Sequence, residues 1–411
     1  MEIRRDRLAT EFAKFERQGN GVVLGAPGVG KTHLLVTHFR AAHADHRPAY
    51  LLSLDKHSVH NDLELQTELG LDRDLIDTLR DDVRATPAAP GLLIIDSYDS
   101  LRSEDAQKYV RTLIRRAQNV LQASWRIIVA VRTFDALRSE MLLAMFPPGA
   151  PPAPEFQMRG VLCRHFVVPA LSDDETLQAV ASIPGLDRIF ERSSPEFRWL
   201  LRTPFNLWLA EKLLGGGVNP DTLSDVSSEV QLLSLFWHQR VASGLMALRR
   251  RSVLTELARA MVEAHQLSVR FDAAYKREDD EVWRDLFSAE ILTQVGTAGQ
   301  RVAFAHNILF DFAVSVLLIE DEPAQVAEFL AAEPARPVFL RPSINYYFTR
   351  LWAENRGAFW AVSWFLLTSE QVHLRLFGRL IPMAVVVREA VTVDDLDPVF
   401  RALAAKEAQA P

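Results

Sequence analysis

The chain has 411 residues, of which 48% are hydrophobic and 24% are charged, and its formal net charge is −7. This length and apolar content are sufficient for a large hydrophobic core divided among about two to four domains. The acidic balance argues against a broad nucleic-acid-binding surface, although it is compatible with a local basic patch.

A single cysteine, Cys163, excludes a disulfide framework and a cysteine-rich zinc site. Because it lies in the apolar run Val161 to Val168, we interpret it as a small buried hydrophobic residue rather than a nucleophile. No uninterrupted apolar stretch reaches the length of a membrane helix, and Met1 to Asp6 do not lead into a signal-peptide core. We therefore expect a soluble, cytoplasmic protein with no membrane partner.

The first motif is a phosphate-binding loop between an apolar strand and a helical pattern that begins at His33. It has the pattern G-x-x-x-x-G-K-T and consists of Gly25, Ala26, Pro27, Gly28, Val29, Gly30, Lys31 and Thr32. Its glycines let successive backbone N–H groups surround a β-phosphate at the N-terminus of a helix, whose dipole favours the anion. We expect Lys31 to contact the β- and γ-phosphates and the Thr32 hydroxyl to bind Mg²⁺. The motif predicts binding of ATP or GTP through Gly25 and through Pro27 to His33, whereas a chance glycine-rich turn is disfavoured by the strand and helix around it.

A second apolar strand ends in an acidic residue, as the other half of such a site requires. This strand is Gly91 to Asp96, and its last residue is expected to face Thr32 and to hold Mg²⁺ directly or through water. The alternative is that Asp96 only forms a turn together with Ser97.

Residues 20 to 170 alternate strands with helices, which predicts an α/β domain with a mostly parallel sheet and helices on both faces. The predicted strands are 21–25, 49–54, 92–96, 126–132 and 161–168, and an amphipathic helix is predicted from Ala106 to Leu121. The proline-rich segment Pro147 to Pro154 favours an extended, exposed loop, with docking of a proline-binding module as the minority interpretation.

After residue 170 the pattern becomes mostly helical. Ser172 to Glu175 form a capping box, and further helical runs follow at 186–202, 204–214 and 229–248. Gly215 to Gly217 are expected to end the middle run. The basic triplet Arg249 to Arg251 is predicted to join two helices at a solvated end, and contact with a phosphate backbone is the alternative.

Beyond the phosphate-binding loop, the chain resembles the STAND class of P-loop NTPases, and within it the NACHT-like proteins and their bacterial relatives. Five segments carry the resemblance in the family's order, over residues 15 to about 320. They are Gly25 to Thr32, Leu92 to Asp99, Ile127 to Arg132, Leu200 to Leu207 and Val302 to Ala313.

The resemblance assigns roles to three further residues. It implies that Arg132 senses the γ-phosphate, a role that suits a guanidinium at a strand end, although an ion pair with Asp135 or Glu140 is the alternative. It places Pro204 beside the adenine, where a proline is also an ordinary first residue of a helix. It implies that His306, in a winged-helix domain over residues 281 to 319, contacts the β-phosphate of ADP and latches two domains together. Without the resemblance, the favoured interpretation of His306 is a buried core histidine.

The chain departs from the family where Asp-Gly-Leu-Asp-Glu is common. Here the segment is Asp96, Ser97, Tyr98, Asp99 and Ser100, so the last acidic residue is missing. Because the acidic pair orients or deprotonates the attacking water, hydrolysis is expected to depend on Asp99 alone and to be slow.

The resemblance and the pattern together predict four parts. A P-loop nucleotide-binding domain covers 1–170, a helical lid 171–250, a winged-helix domain 251–320 and the start of a helical array 321–411. The aromatic residues of the last part are expected to form its core.

The resemblance implies a slow ATPase with Mg²⁺ as cofactor, which rests with ADP, opens and self-associates on ATP binding, and activates a separate effector. For bacterial relatives it implies anti-phage defence. The alternatives are an AAA+-type, origin-recognition-like ATPase that acts on DNA, and a scaffold that uses nucleotide only for folding. A DNA-binding role calls for a basic recognition helix, whereas Ile308 to Leu318 is apolar and carries Asp311, so nucleic acid is not a predicted partner.

Overall fold

The computed structural model describes residues 3–57, 59–149, 152–296, 299–369 and 374–407. The chain divides into two compact units. Unit 1 comprises Met1–Ala247 and Ala260–Ile308, and unit 2 comprises Leu248–Arg259 and Leu309–Pro411. Within the described ranges, no helix is both long enough and apolar enough to cross a membrane.

In the described part of the chain, eight strands form two sheets. The strands are β1 Gly21–Gly25, β2 Ala49–Ser53, β3 Gly91–Asp96, β4 Trp125–Arg132, β5 His165–Val167, β6 Ser268–Arg270, β7 Leu292–Val295 and β8 Arg301–Phe304.

The helices are, in chain order, α1 Asp6–Gln18, α2 Lys31–Ala44, α3 Asp62–Leu69, α4 Leu75–Arg80, α5 Glu104–Leu121, α6 Thr133–Arg138, α7 Glu140–Leu143, α8 Asp173–Ser182, α9 Leu186–Arg192, α10 Pro195–Leu200, α11 Pro204–Gly215, α12 Pro220–Ser224, α13 Glu229–Trp237, α14 Ala247–Glu263, α15 Phe271–Ala274, α16 Asp280–Ser288, α17 Asn307–Leu317, α18 Pro323–Ala331, α19 Arg336–Phe339, α20 Arg341–Glu354, α21 Arg356–Thr368, α22 Leu376–Glu389 and α23 Asp397–Glu407.

The first sheet is parallel and has the strand order β2-β3-β4-β1-β5. Strand β1 and the interiors of β3 and β4 are continuous apolar runs, because helices cover both faces of the sheet. Alternate residues enter two separate cores: Leu93 and Ile95 of β3 pack on the side of α4 and α5, whereas Leu92 and Ile94 pack on the side of α1 and α2. The predicted α/β fold with a parallel sheet is therefore confirmed.

A second, antiparallel sheet of unit 1 has the order β6-β8-β7, and α16 lies between β6 and β7 in the chain. Arg301 of β8 is buried and connects this sheet to α3. Its guanidinium donates to the Ser268 hydroxyl at 2.9 Å and forms an ion pair with Glu68 at 3.5 Å.

The described part of unit 2 is helical. Helix α20 packs against α21 and α22, and α18 packs against α21. The aromatic residues predicted to form a core do so: Tyr347, Phe348 and Phe359 are fully buried, with Phe348 and Phe359 in an edge-to-face contact at 5.9 Å.

Several predicted elements have different bounds in the structure. The predicted strand 161–168 is only His165–Val167, because the backbone N–H of Arg164 bonds to Phe146 and its guanidinium to the carbonyls of Gly19 and Asn20. Cys163 is buried as predicted, and burial raises its pKa to about 11. In the proline-rich segment, Pro147 and Pro148 are exposed, and residues 150 and 151 lie outside the described residues.

The helical predictions after residue 170 need three corrections. The run 229–248 is not continuous, because α13 ends at Trp237, a π-helical turn covers His238–Ala242 and α14 begins only at Ala247. The run 186–202 is interrupted at Ser193 and Ser194, where the Ser194 hydroxyl caps a new helix that begins at Pro195. The basic triplet Arg249 to Arg251 does not join two helices but lies inside α14. The capping box of Ser172 and Glu175 is confirmed, as is the end of α11 at the glycine triplet.

Candidate nucleotide-binding site

The loop between β1 and α2 has a conformation that requires glycine. Gly28 has φ +73° and Gly30 has φ +95°, in the left-handed region that residues with a Cβ atom rarely adopt. A Cβ atom at Gly28 would also lie 2.8 Å from Cβ of Phe205. Because Gly30 is the N-cap of α2, the loop ends where the dipole of a 14-residue helix favours an anion.

The side chain of Lys31 folds back over this loop. Its Nζ donates to the carbonyl oxygens of Gly25 at 2.8 Å and Ala26 at 3.0 Å. An ammonium group has three N–H donors, so one remains for a phosphate oxygen. Burial lowers the pKa of Lys31, and the charge of Asp99 opposes this shift.

Asp96 ends β3 with a carboxylate that is only partly satisfied by the protein. Its side chain is hydrogen-bonded to Thr32, and its Oδ1 accepts from the Ser97 N–H at 2.8 Å. The residue is 1% exposed, and Oδ2 is buried with no hydrogen-bond partner among the described residues. Burial raises the pKa of this carboxyl. An unpaired buried carboxylate oxygen beside a threonine hydroxyl is a set of hard oxygen ligands that suits Mg²⁺.

Arg132, at the end of β4, forms an ion pair with Asp99. Its Nε lies 2.7 Å from Oδ2 of Asp99, and its backbone N–H donates to Oδ1 at 3.0 Å. The two side chains are 9% and 6% exposed. This pair was not predicted from the sequence, where Asp135 and Glu140 were the alternative partners of Arg132.

The predicted site residues surround one cavity of about 1160 Å³ in unit 1. All of them except Gly25, which contributes its carbonyl to Lys31, line this cavity. The lining members are Pro27, Gly28, Val29, Gly30, Lys31, Thr32, His33, Asp96, Asp99, Arg132, Pro204 and His306.

The N-terminus of α11 is bonded directly to the phosphate-binding loop. The backbone N–H of Phe205 donates to the Gly28 carbonyl at 3.2 Å, and Pro204 is the first residue of the helix. The ring of Phe205 lies 5.6 Å from Trp208 and 4.3 Å from His306, measured between centroids. The contact between Phe205 and His306 therefore brings α11 and the segment that follows β8 to the same wall of the cavity.

His306 is held in one tautomer. Its Nδ1 accepts a hydrogen bond from the Ile308 N–H at 3.1 Å. Burial, together with the positive charges of Arg132 and Lys31, lowers its pKa to about 3. The ring is therefore neutral near pH 7, and because Nδ1 is the acceptor, Nε2 carries the proton and is the donor.

Among the polar residues of the cavity that the sequence did not predict are Arg5 and Asp55. Arg5 donates to the carbonyls of Pro169 at 3.1 Å and Ala170 at 3.2 Å and pairs with Glu175, and no local motif marks it. Asp55 lines the cavity two residues after β2. The sequence contains a signal for Asp55, because it closely follows a predicted strand and the carboxyl ends of parallel strands meet at one edge of a sheet.

A separate small cavity, of about 20 Å³, lies beside the first. Asp55 lines both cavities, whereas Ser100 lines only the small one. Oδ1 of Asp55 and Oγ of Ser100 are both buried without a hydrogen-bond partner in the described part of the chain. Burial is the main cause that raises the pKa of Asp55 to about 6, and the negative charge of Asp96 adds to it. The positive charge of Lys56 opposes this shift.

The order of the strands in the parallel sheet identifies the fold. The loop strand β1 lies beside β4, and β4 separates it from β3, whose terminal aspartate contacts the threonine that follows the loop lysine. The chain has the fold of a P-loop NTPase. A fold of this kind positions phosphates at the carboxyl edge of its sheet, where Lys31, Asp96 and Arg132 lie.

No protein-family model matches the sequence, and no curated protein matches it. Several solved structures are similar at low identity. The Walker-type ATPase of Pyrococcus abyssi is 15% identical, over 76% of this chain and 96% of that chain, with a TM-score of 0.34. A Signal Transduction ATPase with Numerous Domains from Pyrococcus horikoshii, which has a tetratricopeptide repeat sensor, is 12% identical over 98% of this chain and 58% of that chain, with a TM-score of 0.42. Drosophila ORC bound to DNA is 13% identical over 73% of this chain and 90% of that chain, with a TM-score of 0.33. At these scores the fold assignment rests on the strand order and the loop.

Proposed function

We propose that the protein binds ATP and ADP in the cavity of unit 1 and hydrolyses ATP slowly, as a switch rather than a motor. The observation that carries the proposal is the convergence of Lys31, Asp96 and Arg132 on one cavity at the carboxyl edge of the sheet. In this proposal the loop N–H groups and Lys31 bind the β- and γ-phosphates, and Arg132 responds to the third phosphate.

Mg²⁺ is the cofactor that the residues fit. Thr32 would supply its hydroxyl and Asp96 the carboxylate oxygen that has no hydrogen-bond partner among the residues that the structure describes. When bound, the ion supplies positive charge that neutralises the phosphates. The protein's own contribution is to hold the Thr32 and Asp96 oxygens together by the hydrogen bond between them.

We further propose that His306 retains ADP. A neutral imidazole whose Nε2 is the donor can bond to a phosphate oxygen without any change of protonation near pH 7. The contact between His306 and Phe205 supports this role, because it joins the residue after β8 to the helix bonded to Gly28. Loss of the phosphate contact would free the module that carries His306.

The remaining parts of the proposal rest on the order of motifs in the sequence. They are the division at 170, 250 and 320, the winged-helix character of the module with sheet β6-β8-β7, self-association on ATP binding, and activation of an effector in bacterial anti-phage defence. An ATPase that reads DNA through α17 is less well supported, since Leu309, Phe310 and Phe312 of that helix are at most 1% exposed.

The decisive experiment is to denature freshly purified protein and to identify the released nucleotide by chromatography. We expect ADP at near one molecule per chain, and none from Lys31→Ala, because the variant lacks the ammonium that compensates the phosphates. Lys14→Ala, which removes an exposed lysine of α1, is the matched control and should retain ADP. An empty wild-type site with rapid ATP exchange, and hydrolysis that DNA stimulates, would favour the DNA-acting alternative.

A further inference from the structure

We propose that Asp55 is a catalytic residue of ATP hydrolysis, the carboxylate that orients the attacking water and accepts its proton. This inference rests on the proposed function and adds to it a residue that no motif identifies.

Asp99 is the acidic residue that the sequence pattern predicts for this role. Both of its oxygens accept hydrogen bonds from Arg132, one from the side chain and one from the backbone. A carboxylate that is bound at both oxygens by one arginine positions that arginine. We therefore assign Asp99 to the orientation of Arg132.

Ser100 directly follows Asp99 in the sequence and carries a hydroxyl, not a carboxylate. Its side chain is 5% exposed and lines the small cavity, not the nucleotide cavity. Asp55 lines that same small cavity, so a carboxylate is present beside position 100 although residue 100 itself has none.

The pairing of β2 with β3 fixes the position of Asp55. Strands β2 and β3 are neighbours, Ser53 is opposite Asp96 in their register, and the Leu54 N–H donates to the Asp96 carbonyl at 3.1 Å. Asp55 therefore follows β2 at the edge where Asp96 ends β3. It reaches the nucleotide cavity as well, and its Oδ1 has no hydrogen-bond partner among the described residues.

The small cavity lies beside Asp55. A cavity of about 20 Å³ is large enough for a water molecule. Its lining offers Oδ1 of Asp55 and Oγ of Ser100 as polar atoms that still need partners. We place the attacking water in this space beside Asp55, which lines the nucleotide cavity as well.

In the proposed chemical step, water displaces ADP from the γ-phosphorus. The water oxygen forms a bond to the γ-phosphorus while the bond from that phosphorus to the β–γ bridging oxygen breaks. The bridging oxygen leaves with ADP, and the water proton passes to Asp55. Asp55 releases this proton to the inorganic phosphate or to solvent, which restores the carboxylate for the next cycle.

The test compares Asp55→Asn with the wild type in single-turnover hydrolysis and in equilibrium binding of a non-hydrolysable ATP analogue. We expect the rate of hydrolysis to fall by about 100-fold or more while the affinity stays within about threefold, because the amide keeps the shape but not the basicity. Asp45→Asn, at an exposed aspartate after α2, is the matched control and should leave both quantities unchanged. Asp55→Glu retains a carboxylate and should recover part of the rate.

Asp55→Ser takes the place of Asp55→Asn if the asparagine variant does not fold, as judged by its melting temperature. Hydrolysis within about threefold of the wild-type rate, or a parallel loss of affinity and rate, overturns the inference while the proposed function stands. A wild-type protein that binds no nucleotide contradicts the proposed function itself, and the inference falls with it.

Discussion

The guanidinium of Arg132 and the carboxylate of Asp99 bind each other at the ends of the neighbouring strands β4 and β3. The Nε–Oδ2 distance is 2.7 Å, and a second bond runs from the Arg132 backbone N–H to Oδ1. Both side chains are nearly buried, so the ion pair compensates two charges that would be costly to bury singly. The pair therefore couples the residue proposed to sense the γ-phosphate to the turn that follows Asp96.

Removal of the Arg132 side chain should destabilise the protein as well as weaken ATP binding. Arg132→Ala leaves the buried Asp99 carboxylate without its ion-pair partner, and we expect a loss of about 3 kcal/mol in the free energy of unfolding. Urea denaturation measures this loss, and Arg126→Ala, at a less buried arginine of the same strand, is the control. Unchanged stability of Arg132→Ala would show that the pair contributes nothing to folding. The double variant Arg132→Met with Asp99→Asn should recover part of the loss, since no charge is then left unpaired.

His306 should control the release of ADP. His306→Ala removes the Nε2 donor, so we expect faster ADP dissociation in a stopped-flow chase with unlabelled nucleotide, and a higher basal turnover. His306→Gln, which keeps a donor of similar reach, should lie between the alanine variant and the wild type. Identical release from all three proteins would refute the latch.

The same histidine should make the protein sensitive to acid. Its pKa is about 3 in the folded protein, whereas an unperturbed histidine has a pKa of 6.5, so between these values the unfolded chain binds more protons. The free energy of unfolding should therefore decrease as the pH falls from 6.5 towards 3. His306→Gln cannot take up this proton, and the difference between wild type and variant in pH-dependent denaturation isolates the effect. A difference that does not change with pH would contradict the lowered pKa.

Gly28 should be intolerant of alanine for two separable reasons. Its φ of +73° is unfavourable for any residue with a Cβ, and the Cβ would lie 2.8 Å from Phe205. Gly185→Ala is the matched control, because Gly185 has φ +81° with nothing within 4 Å of the added atom. We expect Gly28→Ala to abolish nucleotide binding, and Gly185→Ala to cost about 1 kcal/mol in stability with binding intact. Equal losses of stability with retained binding would mean that only backbone strain matters.

Glu16 should supply a second acid-sensitive contribution to stability. It is fully buried in α1; burial alone would raise its pKa, but hydrogen bonds from Arg47 and His38 lower it to about 2. Because the pKa in the folded protein lies below the value of 4.5 for an unperturbed glutamate, the stabilisation is complete above pH 4.5 and is lost as the pH falls towards 2. Glu16→Gln should lose about 3 kcal/mol at pH 7 and much less near pH 2. Glu11→Gln, at a surface pair with Lys14, is the control and should change little. A loss for Glu16→Gln that is the same at both pH values would exclude the charge as its cause.

The elements that the sequence predicts well are those with a strong local signal. Strands β1 and β3 agree within one residue because buried parallel strands are continuous apolar runs. The capping box at Ser172 and Glu175 was predicted from four adjacent residues. The predictions fail where a local pattern has a tertiary competitor. Arg164 shortens β5 by bonding to distant carbonyls, and Arg249 to Arg251 continue α14 although their charges suggested an end.

What the sequence by itself determined is the chemistry of contiguous residues: the glycines of the loop, the lysine and threonine after them, and the aspartate that ends an apolar strand. Their geometry follows from local backbone conformation and from the N-terminus of one helix. The tertiary structure alone decided which distant residues meet. It paired Arg132 with Asp99, bonded Phe205 to Gly28, set His306 against Phe205, and left Asp55 beside the position that lacks an acidic residue. These relations depend on the order β2-β3-β4-β1-β5. Hydrophobic periodicity fixes which residues are buried, but it does not fix which strands become neighbours.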